Sequence, residues 1–321
     1  MLSALLAVIA TIIHTALMFG LAPLLMGIVT KARARLLGRT GPPFLQPYRD
    51  LAKLLRKTAL IPDTATQFYK IWPYITLSAT AVTALLVPSF SFGLITAPLS
   101  DFITLIGLFA AARGATMLAG LETGFGFGGA GAARDALFSL FTEAALLVLV
   151  LTFVLVAHSP TVDGIGTQFR DGHIGISVSL GFALAAMLCV ALTETGRIPV
   201  DNPSGHLELG MVHEAMLLEY SGRYLAMFYY AAALRLIIWM SLISAIFLPF
   251  GVASAANILS WPGGLILWSC KLSIGALALA TFEVATAKMR VFRVPEFLGV
   301  ALLLGILSSV FLFVATKLGG S

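Results

Sequence analysis

Charge is scarce in this chain. Only 11% of its 321 residues are charged, whereas soluble proteins carry roughly 25%, and 59% of its residues are hydrophobic. This composition, with a mean hydropathy of +0.98, excludes an ordinary soluble domain. Continuous apolar runs of about 20 residues, enough to cross roughly 30 Å of hydrocarbon, recur along the chain. They predict an all-α integral membrane protein, because the strands of a membrane β-barrel would be shorter and would alternate in hydrophobicity.

Cysteine is also scarce. Cys189 and Cys270 are the two cysteines, and neither has potential ligands at metal-binding spacing. An iron–sulfur cluster needs a set of cysteines, so we expect no such cluster in this chain. The glycine-rich segment 121–135, LETGFGFGGAGAARD, lacks the Lys-Ser/Thr ending of a phosphate-binding loop. We therefore expect no bound nucleotide either, and interpret its glycines as flexible backbone that packs between helices.

The apolar runs predict about eight membrane spans within a single domain that covers residues 1–321. We place the spans at about Leu2–Val29, Trp72–Ile95, Asp101–Ala119, Asp135–Ala157, Ile174–Thr195, Tyr224–Val252, Gly264–Ala287 and Phe297–Lys317. Polar residues concentrate in segment 30–71 and in the acidic loop, residues 193–222.

Lysine and arginine fall almost entirely on one side of these spans, which predicts that this side is cytoplasmic and that both termini lie outside. The cations assigned to it are Lys31, Arg33, Arg35, Arg39, Arg49, Lys53, Arg56, Lys57, Lys70, Arg113, Arg134, Arg197, Arg223, Lys288, Arg290 and Arg293, whereas Arg170 and Lys317 fall on the other. Topology and contact with anionic lipid account for the net charge of +5. No nucleic-acid partner is needed to explain it.

Segment 46–57, QPYRDLAKLLRK, predicts a basic amphipathic helix lying in the membrane interface. Its residues Tyr48, Leu51, Leu54 and Leu55 share one face, and most of its cations lie off that face. Two interpretations stay open. The helix is either a plain membrane anchor, or a lid over a cavity or docking surface for a cytoplasmic partner.

The acidic loop contains five of the 15 acidic residues of the chain. Ionisable groups at or inside a membrane are costly, so this cluster is a functional hypothesis. Titratable groups a few ångströms apart, including a histidine with a pKa near 6.5, suit a proton relay. The candidate residues here are Glu194, Arg197, Asp201, Glu208, His213, Glu214 and Glu219. The alternative is a solvated loop without a role in proton transfer.

A metal site in the same loop is not expected. His213-Glu214 begins the zinc-protease pattern, but Leu217 stands where that pattern requires a second histidine. His206 and Glu208 have no third ligand at a suitable spacing.

Two further acids fall within predicted spans. Glu143 lies inside the fourth span, where we expect it to face the protein interior and to belong to a proton path. The alternative is a hydrogen-bonded or snorkelling acid near the membrane interface. Glu283, near the basic end of the seventh span, is either a relay residue or part of a helix-end ion pair. Arg235 and Lys271 are possible partners for buried acids.

Two segments carry a family resemblance. The acidic loop, with ETGRIPVDNPSGHLE and HEAMLLEYSG, and the earlier KARARLLGRTGPPFLQPYRDLAKLLRK resemble cytoplasmic loops of the heel subunit of respiratory complex I. They are still more similar to its homologues in energy-converting membrane-bound [NiFe] hydrogenases, the group that includes formate hydrogenlyase and hydrogenase-4.

The resemblance implies a non-catalytic subunit in a prokaryotic inner membrane, without a cofactor of its own. Its partners would be a [NiFe] large subunit and an iron–sulfur small subunit, which carry the redox centres, and antiporter-like membrane subunits. The matching positions imply a coupling role for Glu143 and for six acidic-loop residues, Glu194, Arg197, Asp201, Glu208, Glu214 and Glu219. The first-loop pattern implies partner docking by Arg39, Gln46, Arg49, Asp50 and Lys53.

One departure separates the two branches of the resemblance. Complex I subunits usually carry E-x-x-R-x-P-F-D, whereas Val200 replaces the phenylalanine here, and the segment NPSGH follows Asp201. This favours the hydrogenase branch over a quinone-site subunit. A stand-alone secondary transporter is a third hypothesis, but such folds often contain inverted repeats, which we do not detect here. A purely structural anchor is the fourth.

Overall fold

The computed structural model describes residues 2–172, 177–197, 199–201, 211–287, 289–290 and 293–319. Six helices among these residues are long and apolar enough to cross a membrane, which confirms the predicted all-α integral membrane class. The α-helices are α1 Leu2–Leu36, α2 Gln46–Arg56, α3 Trp72–Leu86, α4 Phe102–Glu122, α5 Gly126–Ala157, α6 Val162–Arg170, α7 Val178–Glu194, α8 His213–Leu217, α9 Gly222–Phe247, α10 Trp261–Ala285 and α11 Val294–Gly319. Strands β1 Ser91–Phe92 and β2 Ala253–Ser254 form a short parallel pair.

The short helices α3 and α7, of 15 and 17 residues, fall below the length of the six membrane-crossing helices. The number of spans and the position of the termini therefore stay predictions. Helix α1 is longer than predicted, since it continues to Leu36 instead of ending near Val29. Helix α4 begins directly after Asp101, whose carboxylate accepts a hydrogen bond from the backbone N–H of Ile103.

The second predicted span was wrong in its outer part. Helix α3 ends at Leu86, close to Pro88, which has no N–H and cannot continue a helix. The chain then becomes irregular, and β1 pairs with β2. Residues 87–92 are buried, so protein surrounds this non-helical backbone, as a location inside a membrane protein requires.

His14 of α1 completes the end of α3. Because Pro88 lacks an N–H, the carbonyl of Ala84 has no donor from within its own helix. His14 is fully buried, and its Nε2 lies 3.1 Å from that carbonyl oxygen. Its Nδ1 lies 2.7 Å from the Ser89 hydroxyl. One imidazole thus satisfies both the free carbonyl and a buried hydroxyl.

The glycine-rich segment 121–135 is mostly helical rather than a flexible joint. Helix α4 ends at Glu122 and α5 already begins at Gly126. A Cβ on Gly128 would lie 2.4 Å from the carbonyl oxygen of Gly120. The absence of side chains therefore lets α4 and α5 meet backbone to backbone.

The predicted amphipathic helix is confirmed as α2. Its residues Tyr48, Leu51 and Leu54 are half-buried, whereas Leu55 is exposed. The Tyr48 hydroxyl donates a hydrogen bond to the backbone carbonyl of Gly20 in α1. Helix α2 thus lies against α1 and α9. We call this the basic end of the bundle, where α2, α8 and residues 193–197, 199–201 and 211–222 are located.

Candidate functional site

Three charged groups occupy the interior next to the basic end of the bundle. The first is the Arg113–Glu194 pair. The second, the His213 group, consists of Asp135, Asp201 and His213. The third, the Glu283 group, consists of Arg33, Arg197 and Glu283.

The Arg113–Glu194 pair joins α4 to the last turn of α7. Both side chains are almost completely buried, and the Arg113 guanidinium is hydrogen-bonded to the Glu194 carboxylate. Arg113 Nη1 also donates to the Thr142 hydroxyl of α5 at 2.6 Å. From α9, Arg235 donates to the backbone carbonyl of Glu194 at 3.2 Å. Four helices therefore meet at this pair, and a charge deprived of water is matched by an opposite charge.

The His213 group links α8 to residues on both sides of it. Asp201 accepts hydrogen bonds from the backbone N–H groups of Val212, at 3.2 Å, and His213, at 2.9 Å. His213 Nδ1 lies 3.0 Å from Asp201 Oδ2, while His213 Nε2 lies 3.9 Å from Asp135 Oδ1 of α5. The imidazole is therefore located between two carboxylates that are themselves buried.

This geometry favours the charged forms of Asp201 and His213. Burial opposes ionisation of Asp201, but hydrogen bonds and the charge of His213 outweigh burial and lower the pKa of the carboxyl. Burial also opposes a charge on His213, but the hydrogen bond to Asp201 and the charges of Asp135 and Asp201 raise the pKa of the imidazole. The pKa of the neighbouring Glu214 is raised by burial and by the charge of Asp201.

The Glu283 group connects α1, α10 and the residues that follow α7. Glu283 is buried and lies 3.3 Å from Arg197 Nη1 and 3.6 Å from Arg33 Nη1. Arg197 Nη2 also lies 2.7 Å from Met26 Sδ. Glu283 thus forms ion pairs that bridge separate parts of the chain.

The remaining candidates of the acidic loop are more dispersed. The carboxylate of Glu214 accepts a hydrogen bond from the Tyr229 hydroxyl at 3.4 Å. The backbone carbonyl of Glu219 accepts a hydrogen bond from the Tyr69 hydroxyl at 2.9 Å. Glu208 lies outside the described residues.

Glu143 is half-buried near the middle of α5, at the edge of the outward face that carries Leu140 and Leu147. It lies within electrostatic reach of Arg113. In the part of the chain that the structure describes, no hydrogen-bonded or ion-paired partner contacts its carboxylate. It thus borders both the charged interior and the surface that would meet lipid or another membrane protein.

A cluster of tyrosines ties the first loop to the acidic loop. Tyr69 and Tyr220 stack with ring centroids 4.2 Å apart. Leu60 N–H donates to the Ser221 hydroxyl, which in turn donates to the Leu60 carbonyl. Farther along the first loop, the Thr66 hydroxyl donates to the Glu122 carboxylate at the end of α4. Segment 58–72 is therefore fixed to two other parts of the basic end.

The predicted docking residues lie on or next to α2. Arg39, Arg49, Asp50 and Lys53 are exposed, whereas Gln46 is half-buried and donates to Asp50 Oδ1 at 2.8 Å. Below α2 lies a cavity of about 300 Å³ between α1, α2 and α9. Its walls are mostly apolar and include Pro23, Gly27, Pro47, Leu51, Tyr229 and Ala233.

Sequence reasoning missed two residues that are central to these groups. The charge pattern predicts Arg113 on the cytoplasmic side, but the residue is buried within α4. The apolar pattern predicts a span that starts at Asp135, but this residue lies inside α5 and is buried against His213. A signal existed for Arg113, because a single cation in the apolar run FITLIGLFAAARGATMLAG is costly unless it is paired. Lys271, expected to pair with an acid, instead donates to the carbonyls of Leu248 and Phe250.

These features define a multi-pass helical membrane protein with an ionised network inside its bundle. The chain belongs to the NADH dehydrogenase family, whose sequence model matches residues 8–315. It is 31% identical to formate hydrogenlyase subunit 4 of Escherichia coli (strain K12) over 290 residues, which cover 90% of this chain and 94% of that protein.

Two other proteins are similar. Hydrogenase-4 component C of the same organism is 32% identical over 253 residues, 78% of each chain. A chain in the solved structure of a membrane-bound sulfane sulfur reductase, an archaeal respiratory membrane complex, has the same fold with a TM-score of 0.77. That match has 20% sequence identity and covers 94% of this chain and 98% of the other.

Replacing Gly131 by alanine should displace α8. A Cβ at this position would lie 2.8 Å from the Val212 carbonyl oxygen, so the backbone next to His213 must move. We expect faster hydrogen–deuterium exchange at residues 212–217. The matched control is Gly129→Ala in the same helix, where no atom lies within 4 Å of the new Cβ. That variant should gain roughly 0.5–1 kcal/mol from helix propensity. Equal exchange in both variants would contradict the close packing.

The attachment of α8 should weaken as the pH rises. Because the folded-state pKa of His213 is raised, its contribution is fully present below about pH 6.5 and is lost as the pH rises through the raised pKa. Asp201, whose pKa is lowered, also stabilises the folded state, and this stabilisation is lost only at acidic pH, as the pH falls through its lowered pKa. Hydrogen exchange at residues 212–217, corrected for intrinsic rates, measures the effect.

Glu214 requires a separate control in this experiment. Its raised pKa also weakens the folded state as the pH rises, but from a lower starting pH of about 4.3. The variant Glu214→Gln should retain the transition above pH 6.5, whereas His213→Gln should lose it. A transition that survives in His213→Gln would refute the assignment.

Proposed function

We propose that this chain is a non-catalytic membrane subunit of an energy-converting membrane-bound [NiFe] hydrogenase or formate hydrogenlyase complex in a prokaryotic cytoplasmic membrane. The observation that carries this proposal is the 31% identity with formate hydrogenlyase subunit 4 across 90% of the chain. The [NiFe] centre and the iron–sulfur clusters belong to partner subunits at the cytoplasmic face. Antiporter-like membrane subunits are the partners within the bilayer.

The basic end of the bundle provides the attachment surface for the redox partners. Helix α2 projects Arg49, Asp50 and Lys53 outward while its apolar residues rest against α1 and α9. Charged groups at the rim of an interface guide association and set its register. The tyrosine contacts of Tyr69 and Tyr220 connect this surface to the acidic loop, so that the position of a bound partner influences the charged interior.

Coupling to proton or sodium translocation uses the three charged groups. Arg113 lies within electrostatic reach of Glu194, Asp135 and Glu143, so a change of charge in the acidic loop alters the field at Glu143. Glu143 borders the outward face of α5, where an antiporter-like subunit would receive the signal. Glu208 and Glu219 belong to the same proposed path through their positions in the acidic loop.

The cavity under α2 supports a second candidate function. Its size of about 300 Å³ and its mostly apolar walls suit part of a quinone. A quinone-site subunit of a complex I relative would use this space, with Tyr229 and Gln46 as polar groups at its wall. The Val200 substitution in the acidic loop favours the hydrogenase role.

Purification of the tagged chain in mild detergent from its native membrane tests the assignment. We expect a [NiFe] large subunit and an iron–sulfur protein to co-purify, together with hydrogenase activity that does not depend on quinone. Quinone-dependent activity without a [NiFe] subunit would support the second candidate. Recovery of the chain without any electron-transfer protein would refute both.

Replacing Glu143 by glutamine should uncouple the complex. The amide keeps the size of the side chain but cannot ionise, so ion translocation per H₂ should fall while assembly and H₂ turnover in detergent persist. Glu296→Gln is the matched control, because Glu296 is exposed in the first turn of α11. Translocation by sealed vesicles measures the effect. Equal translocation in both variants would exclude Glu143 from the path.

A further inference from the structure

We propose that Asp135 and His213 form a proton-exchanging pair that connects the acidic loop to helix α5. The inference rests on the proposed coupling function and assigns a role to Asp135, which sequence patterns did not single out. The pair deepens the function by naming the point at which a proton passes between the loop and the helix bundle.

The first argument is the geometry of the gap. His213 Nε2 and Asp135 Oδ1 are 3.9 Å apart, beyond hydrogen-bond distance. Within the described residues, neither Nε2 nor either Asp135 oxygen has another hydrogen-bond partner, and all three atoms are buried. A buried polar atom without a partner is costly. Closure of the gap by about 1 Å would bring the two atoms to hydrogen-bond distance and allow direct proton transfer.

The second argument is the charge around the imidazole. Asp201 lies next to Nδ1 of His213, and Asp135 of α5 lies on the Nε2 side of the same ring. Arg235 of α9 opposes a positive charge on His213, and Glu214 is the adjacent residue on α8. Two carboxylates and one guanidinium thus surround the His213 imidazole. The pKa of a histidine free in water is near 6.5. The balance between them sets where the proton resides.

The transfer conserves atoms and charge. Imidazolium Nε2–H gives its proton to a carboxylate oxygen of Asp135, so that His213 becomes neutral and Asp135 becomes a carboxylic acid. Nδ1 keeps its proton and its hydrogen bond to Asp201. The group made of Asp135, His213 and Asp201 carries one negative charge before and after the step. The field that Asp135 exerts on Arg113 disappears, and the charge balance near Glu194 and Glu143 shifts.

The backbone around the ring controls the distance. Gly196 adopts φ +60, and a Cβ there would lie 3.0 Å from His213 Nδ1. Helix α8 packs over Gly131 of α5, where a Cβ would lie 3.2 Å from the Ala215 side chain. Movement of residues 193–197 or of α8 therefore changes the Asp135–His213 distance, and a partner bound at the basic end can open or close the pair.

The test uses the intact complex in lipid nanodiscs with Asp135→Asn, Asp135→Glu and His213→Gln. Infrared difference spectra on pH titration should contain the carbonyl stretch of a protonated carboxyl. We expect one component of this band to be lost in Asp135→Asn, altered in His213→Gln and present again in Asp135→Glu. ¹⁵N-histidine spectra should place the pKa of His213 lower by about 1–3 pH units in Asp135→Asn. Unchanged infrared and histidine titrations in Asp135→Asn overturn the pair.

Ion translocation in sealed vesicles separates this pair from the wider proposal. Asp135→Asn should reduce translocation by roughly 10²-fold, with rescue by Asp135→Glu. If Glu143→Gln uncouples the complex but Asp135→Asn does not, the coupling role stands and the pair is refuted. If the spectra shift as expected while neither variant changes translocation, proton exchange is supported and the coupling role fails. Should Asp135→Asn not assemble, Gly196→Ala displaces the ring instead and must shift the histidine titration.

Discussion

The structure near the basic end depends on the buried ion pair between Arg113 and Glu194, whose two charges must stay together. Both side chains have lost almost all contact with water, and removal of one partner from such a pair usually costs about 3–5 kcal/mol because the other charge is left unmatched. Thr142 and Arg235 add hydrogen bonds around the pair. Helices α4, α5, α7 and α9 must therefore keep their relative positions for the charges to remain compensated. An apolar bundle of this kind tolerates ionised groups only where several elements supply their partners together.

Glycine makes this compensation geometrically possible. Gly120 and Gly128 bring two backbones into contact, and Gly131 lets α8 approach α5 closely enough for His213 to face Asp135. Larger residues at these positions would separate the elements and leave the carboxylates without their cations. These glycines carry no charge, but they allow the close helix packing that brings the charged side chains together.

The sequence was sufficient to predict the membrane class and helix α2, because each follows from local composition or periodicity. Pro88 also marks the end of α3 in the sequence, although the apolar run continues beyond it to Ile95. The ion-pair partners of the buried charges could not be predicted from the sequence. Glu194 meets Arg113, and Glu283 meets Arg197, through contacts between residues distant along the chain, and hydrophobicity does not specify such pairing. The glycines that precede Asp135 favour a break between helices in a soluble protein, whereas membrane helices accept glycine readily, so α5 already begins at Gly126.

The attachment of segment 58–72 has a mechanical consequence. Its links through Ser221, Tyr220 and Glu122 stand at different points along the segment. Leu60 and Tyr69 contact Ser221 and Tyr220 next to the start of α9, whereas Thr66, between them, contacts Glu122 at the end of α4. Displacement of this segment by a bound partner would therefore be transmitted to the end of α4 and to the start of α9 together.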